Sequence, residues 1–291
     1  MKKIKLKIDN SYFILLFFCL YLTTGILVVG DYSVTPDEPL HRTNGFISLK
    51  YISDFFGLNI NLSDHFKKIP DLHNDWRKTY GVIFDLPLAF LEVVFNLDNK
   101  SDIFLLRHFF TFFTFFVSSV FFYFLIHDNL RSKALAFIGV LILITSPRMF
   151  SHSFYNSKDI IFLSLMIIAV YYSLKTLKNF GYKNLFLSCL FCALATNIRI
   201  IGLYLPLLIF FFFFFREKKN NEINTYYFFT LYFSIYFIIL YLIWPFLWNN
   251  PIGNFFFVLS ESMNYPSWWD FKTFYLGQYL DPENLPWHYF F

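Results

Sequence analysis

Uncharged or nearly uncharged apolar runs, close to the ~20 residues that cross a bilayer, recur along this chain. Residues 11–30 contain no Asp, Glu, Lys or Arg, and further apolar runs lie at 104–126, 134–150, 160–174, 185–198, 200–215 and 226–247. Backbone inside lipid must satisfy its own hydrogen bonds, so these runs are expected to be helices. Composition agrees: 57% of residues are hydrophobic and 15% are charged, where a soluble domain carries about 25% charged. The expected fold class is an all-α polytopic membrane protein of about seven transmembrane helices, forming one domain over residues 1–291. The net charge of +4 resides in short basic clusters between the runs. Such clusters set orientation and point to no nucleic-acid partner.

Residues 81–97 are the ambiguous stretch. Asp85 and Glu92 lie seven residues apart, on one helical face, with Asn96 extending the stripe. An apolar helix with one acidic stripe suits the interface better than the bilayer core. Charge bias decides the matter. Without a crossing at 81–97, residues 1–10, 127–133, 175–184 and 216–225 face the cytosol with twelve Lys or Arg. The short outer loops then hold only Arg148, Lys158 and Arg199. With a crossing, the two sides would carry eight each. Positive residues favour the cytosolic side, so residues 31–103 are assigned to the outside as a first long loop with amphipathic outer-face helices. Lys2, Lys3, Lys5 and Lys7 precede a first helix read as uncleaved. Residues 249–291 form an outer C-terminal segment, and Leu285–Phe291 is expected to begin another helix in a chain that continues.

This orientation gathers Asp37, Glu38, Arg107, Arg148, Lys158, Asp159 and Arg199 at the outer ends of helices. Ionisable groups so close to lipid usually have a function. The link Thr196-Asn-Ile-Arg-Ile200 breaks two short spans apart. Such a break is tolerable where it is buried in protein or lines a wet cavity, which places a cavity at the outer face. The other features have plainer readings. Phe210–Phe215 is lipid-facing composition. Cys189-x-x-Cys192 inside an apolar run is packing, with no disulfide framework.

Two motifs carry chemistry. Asp37-Glu38 follows the first apolar run within a few residues. It reads as a general base, or as a solvated turn shaped by Pro36 and Pro39. Ser146-Pro-Arg148-Met-Phe-Ser-His152-Ser-Phe-Tyr-Asn156-Ser-Lys158-Asp159 joins two spans. Asn156 or Ser157 can cap the following helix, and Asp159 suits its positive end. Capping leaves Arg148, His152 and Lys158 unexplained, and cations at a helix N-terminus make an anion site. Arg199 is either a snorkelling arginine or a phosphate contact.

Together these features resemble the GT-C membrane glycosyltransferases. They are the acidic pair after the first span, Arg107-His108 at the head of the second, Pro147-Arg148…His152…Asn156-x-Lys158-Asp159, and Arg199 after the fifth. The nearest resemblance is to the protein O-mannosyltransferase and lipid A aminoarabinose transferase group. The resemblance implies a GT-C-like bundle and a polyprenyl-phosphate-linked sugar as donor. The acceptor is a protein, lipid or glycan carrying a hydroxyl or amine. It further implies Asp37 as catalytic base with Glu38 beside it, Asp159 as a second acidic residue, and Arg199 as the donor-phosphate contact. Arg148 and Lys158 are companion phosphate-binding candidates, and His41, Arg107 and His152 are further candidates.

The expected reaction is glycosyl transfer at the outer face of a multi-pass protein, in a bacterial inner membrane and surrounded by membrane lipids. By analogy with other single displacements it proceeds with inversion. Asp37, Glu38 and Asp159 offer hard oxygen donors to Mg²⁺ or Mn²⁺, so a divalent metal is left open. The competing reading is a transporter or lipid-linked-sugar flippase, which fits charged, broken helices but predicts inverted repeats that the sequence does not display.

Overall fold

The computed structural model describes residues 10–58, 60, 62, 69–215, 224–263, 272–281 and 284–289. The basic N-terminus, most of the 216–225 loop, Trp268-Trp269-Asp270 and the last two residues lie outside the described residues. The described chain is almost wholly helical. The helices are α1 (Asn10–Val28), α2 (Glu38–Phe56), α3 (Asp85–Val94), α4 (Lys100–Leu130), α5 (Lys133–Thr145), α6 (Pro147–Tyr155), α7 (Asp159–Lys178), α8 (Tyr182–Ile198), α9 (Tyr204–Phe215), α10 (Thr225–Ile243) and α11 (Pro251–Met263). The all-α polytopic expectation holds.

Each of the seven apolar runs falls on a helix, but not all fall on a full span. Four helical stretches are long and apolar enough to cross: Tyr12–Asp31, Lys100–Leu130, Asp159–Lys178 and Thr225–Ile243. The run at 134–150 is not one helix. The chain bends by 65° between α5 and α6. Ser146 is extended, at φ −60° and ψ 117°, because the ring of Pro147 disfavours the helical region for the residue before it. Pro147 then opens α6, where its missing N–H is no loss. The run at 160–174 continues to Lys178, a full 20-residue helix. α8 and α9, at 17 and 12 residues, remain short. The two are joined by extended Arg199 and a 3-10 turn, Ile200–Leu203.

α3 has ten residues, about 15 Å of helix, too short to cross. Its acidic stripe does not face water as the interface reading implied. Asp85 and Glu92 are buried and turned into the protein.

In lipid, helices associate by packing and polar contacts, since lipid tails already solvate apolar surface. Two packed regions do this here. One joins α1, α4, α5 and α6 through aromatic rings, with Phe112 and Phe154 stacked at 5.0 Å and Tyr32 stacked on Phe154 at 4.3 Å. The other joins α7, α8, α9 and α10. In the Phe210–Phe215 run, five rings are exposed, as expected of a lipid face. Phe213 is the exception, buried and stacked on Phe228 at 3.6 Å. Cys189 and Cys192 are free and buried, and Tyr232 Oη donates to Cys192 Sγ at 3.3 Å.

Past α11, an antiparallel hairpin pairs β1 (Thr273–Tyr275) with β2 (Gln278–Leu280). Leu276 and Gly277 both have positive φ, 48° and 82°, the two-residue primed-turn geometry that matches strand twist. Residues 287–289 form a turn, not the start of another helix as expected.

Candidate active site

A cavity of about 800 Å³ opens where the N-termini of α2 and α7 meet the C-terminus of α8. Thr35, Asp37, Glu38, His41 and Asn44 line one side. His152, Asn156, Asp159 and Arg199 line the other, and Trp76, Arg77 and Tyr80 also contribute. The broken link after α8 therefore lines a cavity, as its sequence requires.

The acidic pair sits at the entry to α2, and the local sequence explains how. Thr35-Pro36-Asp37-Glu38 is a turn that leads into α2, closed by Glu38 N donating to Thr35 O at 3.3 Å. Glu38 Oε1 accepts from Thr35 N at 2.7 Å and from Thr35 Oγ1 at 2.9 Å. Glu38 Oε2 lies 2.8 Å from His108 Nε2 of α4. Glu38 is 3% exposed, so this carboxylate is fastened between two elements. Asp37 is exposed, and its carboxylate has no hydrogen-bond or ion-pair partner among the described residues. Neighbours in sequence thus have opposite environments. His41 lies one turn further along α2, on the face of Asp37. Burial pushes the His41 pKa down, against the carboxylates of Asp85 and Asp37, so its imidazole is neutral at pH 7.

The facing wall is built by capping. Asn156 Oδ1 accepts from the backbone N–H of Asp159 at 2.8 Å and of Lys158 at 3.3 Å, closing the start of α7. Asn156 Nδ2 donates to His152 Nδ1 at 2.9 Å and to Asp159 Oδ2 at 3.2 Å. The other oxygen of Asp159 accepts from Arg199 NH2. His152, Asn156, Asp159 and Arg199 therefore form one chain of contacts. Its outer pair stays accessible, with side chains 48% exposed for Arg199 and 60% for Asp159.

A buried ionic cluster supports the site. Lys158 Nζ donates to Gly81 O at 2.9 Å and to Asp85 Oδ2 at 3.1 Å. Arg107 lies 3.6 Å from Asp85 and 3.8 Å from Glu92. Arg42 of α2 grips Glu92 through Nε, 3.0 Å from each oxygen, and through NH2. Among the described residues, three carboxylates, counting Glu38, are set against three cations. Gly81 is required where it is, because a Cβ there would stand 1.4 Å from Asn197 O. Asn197 Oδ1 in turn accepts from Ile83 N at 2.9 Å, tying this segment to the end of α8.

Of the sequence candidates, Asp37, Glu38, His41, His152, Asp159 and Arg199 share the cavity. Lys158 touches it, but its ammonium is committed to Asp85 and Gly81, away from the role of phosphate ligand. Arg107 is buried in the ionic cluster and does not line the cavity. Arg148, exposed near the start of α6, does not line it either, although His152 and Tyr155 further along the same helix do. The three carboxylates considered for a metal do not form a ligand set. No group of three or more His, Cys, Asp or Glu among the described residues is arranged to hold an ion, and both Glu38 oxygens are already engaged. Sequence reasoning missed Arg42, Asn44, Trp76, Arg77 and Tyr80. A local signal existed for Arg77, since Asp75 Oδ1 accepts from Arg77 N at 2.9 Å in an Asx turn.

A helical membrane protein with a carboxylate and a guanidinium facing one cavity at its helix ends has the makings of a membrane transferase. Comparison with known families gives the class. Residues 87–248, more than half of the chain, match the model of the dolichyl-phosphate-mannose-protein mannosyltransferase family, and the chain belongs to this family of GT-C glycosyltransferases. No curated protein and no solved structure matches it. The matched region contains Arg107, Arg148, His152, Lys158, Asp159 and Arg199 and begins after the acidic pair.

Proposed function

We propose that the protein transfers a glycosyl unit from a polyprenyl-phosphate-linked donor to an acceptor hydroxyl at the outer face of the membrane. One observation carries this reading: Asp37, whose carboxylate has no partner among the described residues, and an accessible guanidinium, Arg199, line the same cavity. Asp37 takes the acceptor proton as the acceptor oxygen attacks the anomeric carbon. Arg199 binds the departing lipid phosphate, for which its planar fork is suited. Glu38 holds the loop that presents Asp37 and does not itself transfer a proton. His41, neutral beside Asp37, leaves that carboxylate without a competing cation on its own helix face. Holding donor and acceptor in one cavity supplies much of the acceleration. A transporter would instead place charge near mid-span, whereas these groups gather at one end of the helices.

The test is transfer of labelled sugar from a polyprenyl-phosphate donor in membranes with matched protein levels. Asp37→Asn keeps size and turn preference but cannot take the proton, so the rate should fall about 10²–10⁴-fold. Arg199→Lys keeps the charge and loses the fork, so donor use should weaken. Near wild-type transfer by the Asp37 variant would remove Asp37 from the mechanism.

A further inference from the structure

We infer that Asp159 is a positioning residue that competes with the lipid phosphate for Arg199 and so drives product release. This inference rests on the donor class proposed above and reassigns a carboxylate that the resemblance treats as catalytic. The geometry is specific. Asp159 contributes one oxygen to Arg199 and the other to Asn156. Asn156 is fixed in turn by His152 and by the first N–H groups of α7. Asp159 is thereby held beside the guanidinium that reaches the cavity from the end of α8. The pair is also weak enough to exchange. Both side chains are about half exposed, and an exposed carboxylate–guanidinium pair contributes a factor of about five at most. A phosphate offering two oxygens in the plane of the fork outcompetes one carboxylate oxygen.

The charge change during the reaction gives the exchange its direction. The donor is a phosphodiester carrying one negative charge. Transfer breaks the bond between the anomeric carbon and the phosphate oxygen, forms the bond to the acceptor oxygen, and leaves the acceptor proton on Asp37. The departing lipid monophosphate carries about −1.5 to −2 at neutral pH. It would bind Arg199 more tightly than the donor did and block the next turnover. Asp159, a fixed negative charge at the same guanidinium, opposes the dianion more than the monoanion and retakes Arg199 as the product leaves.

The experiment is equilibrium binding of a short-chain polyprenyl monophosphate to the protein in nanodiscs of uncharged phospholipid, alongside transfer kinetics. Asp159→Asn preserves the oxygen that accepts from Asn156 and removes the charge. It should bind the monophosphate roughly three- to tenfold more tightly. It should also lower the donor KM by a smaller factor and depress multiple-turnover kcat while the first turnover stays near wild type. Asp159→Glu restores the charge and should return affinity and kcat toward wild type. Unchanged or weaker monophosphate binding by the Asn variant overturns the inference, as does a first turnover that fails together with kcat. Wild-type protein that transfers no sugar would defeat the proposed function. Tighter monophosphate binding by the Asn variant in that protein would still support the exchange at Arg199.

Discussion

His41 makes the cavity sensitive to pH, and the sign of the effect follows from its environment. Burial lowers its pKa from the ordinary 6.5, with Lys158 and Arg107 acting in the same direction and the carboxylates of Asp85 and Asp37 opposing. The native state therefore resists the proton, and the unfolded chain binds it first as pH falls. The stability associated with neutral His41 is complete above about pH 6.5 and is lost as pH drops toward the lowered folded-state value. His41→Gln should lose less thermal stability than wild type between about pH 7 and pH 5. An identical loss in both proteins would show that His41 does not titrate with unfolding. At this scale the sequence was only partly legible. Asp37 and Glu38 are adjacent, and both read as candidate acids. What separates them is Thr35, three residues before Glu38 and donating to it, and His108, seventy residues away, which no local signal announces.

The elements were legible where local chemistry governs them and illegible where distant partners do. Asn156 or Ser157 forecasts the cap of α7 and the 196–200 link forecasts a break, whereas the single run expected at 134–150 passes straight through Pro147, which in fact opens α6. The inward stripe of α3 shows the limit. Its seven-residue spacing gave the shared face, but the direction of that face depends on Arg42, Arg107 and Lys158. These stand outside α3, and each contacts Asp85 or Glu92 directly. Periodicity cannot distinguish a face turned to water from a face turned to buried cations. The cluster leads to a prediction. Arg107 stands between Asp85 and Glu92 at 3.6 and 3.8 Å, and Arg107→Ala would leave these buried carboxylates under-compensated. Breaking a buried pair on one side typically costs about 3–5 kcal/mol. The variant should unfold at a clearly lower temperature in detergent, and α2 and α3 should become more accessible to protease. A loss below about 1 kcal/mol would mean that Arg42 and Lys158 suffice.

At the scale of the whole molecule, the two ends differ chemically, and this bears on orientation. The cavity and the buried ionic cluster lie at the N-terminal ends of α4 and α7. The opposite ends of the same helices meet across Lys178 Nζ, which donates to Asn129 Oδ1 at 2.7 Å, and across Lys175 and Asp128 at 3.8 Å. These residues belong to the 127–133 and 175–184 loops that the Lys/Arg count assigns to the cytosol, so packing and charge bias sort the loops alike. If the bias sets the orientation, the cavity faces outward, where acceptors beyond the membrane can reach it. Cys19 is exposed, whereas Cys189 and Cys192 are buried. A Cys19→Ser background therefore permits labelling at chosen sites. Single cysteines replacing Asp98 and Asn250, both exposed, should react with a membrane-impermeant thiol reagent added to intact cells. One replacing Asn179, exposed at the far end of α7, should react only after the membrane is opened. Labelling of the Asn179 site in intact cells, with Asp98 and Asn250 protected, would invert the protein and turn the cavity toward the cytosol. The proposed chemistry at Asp37 and Arg199 would survive that result, but the outer-face acceptor would not.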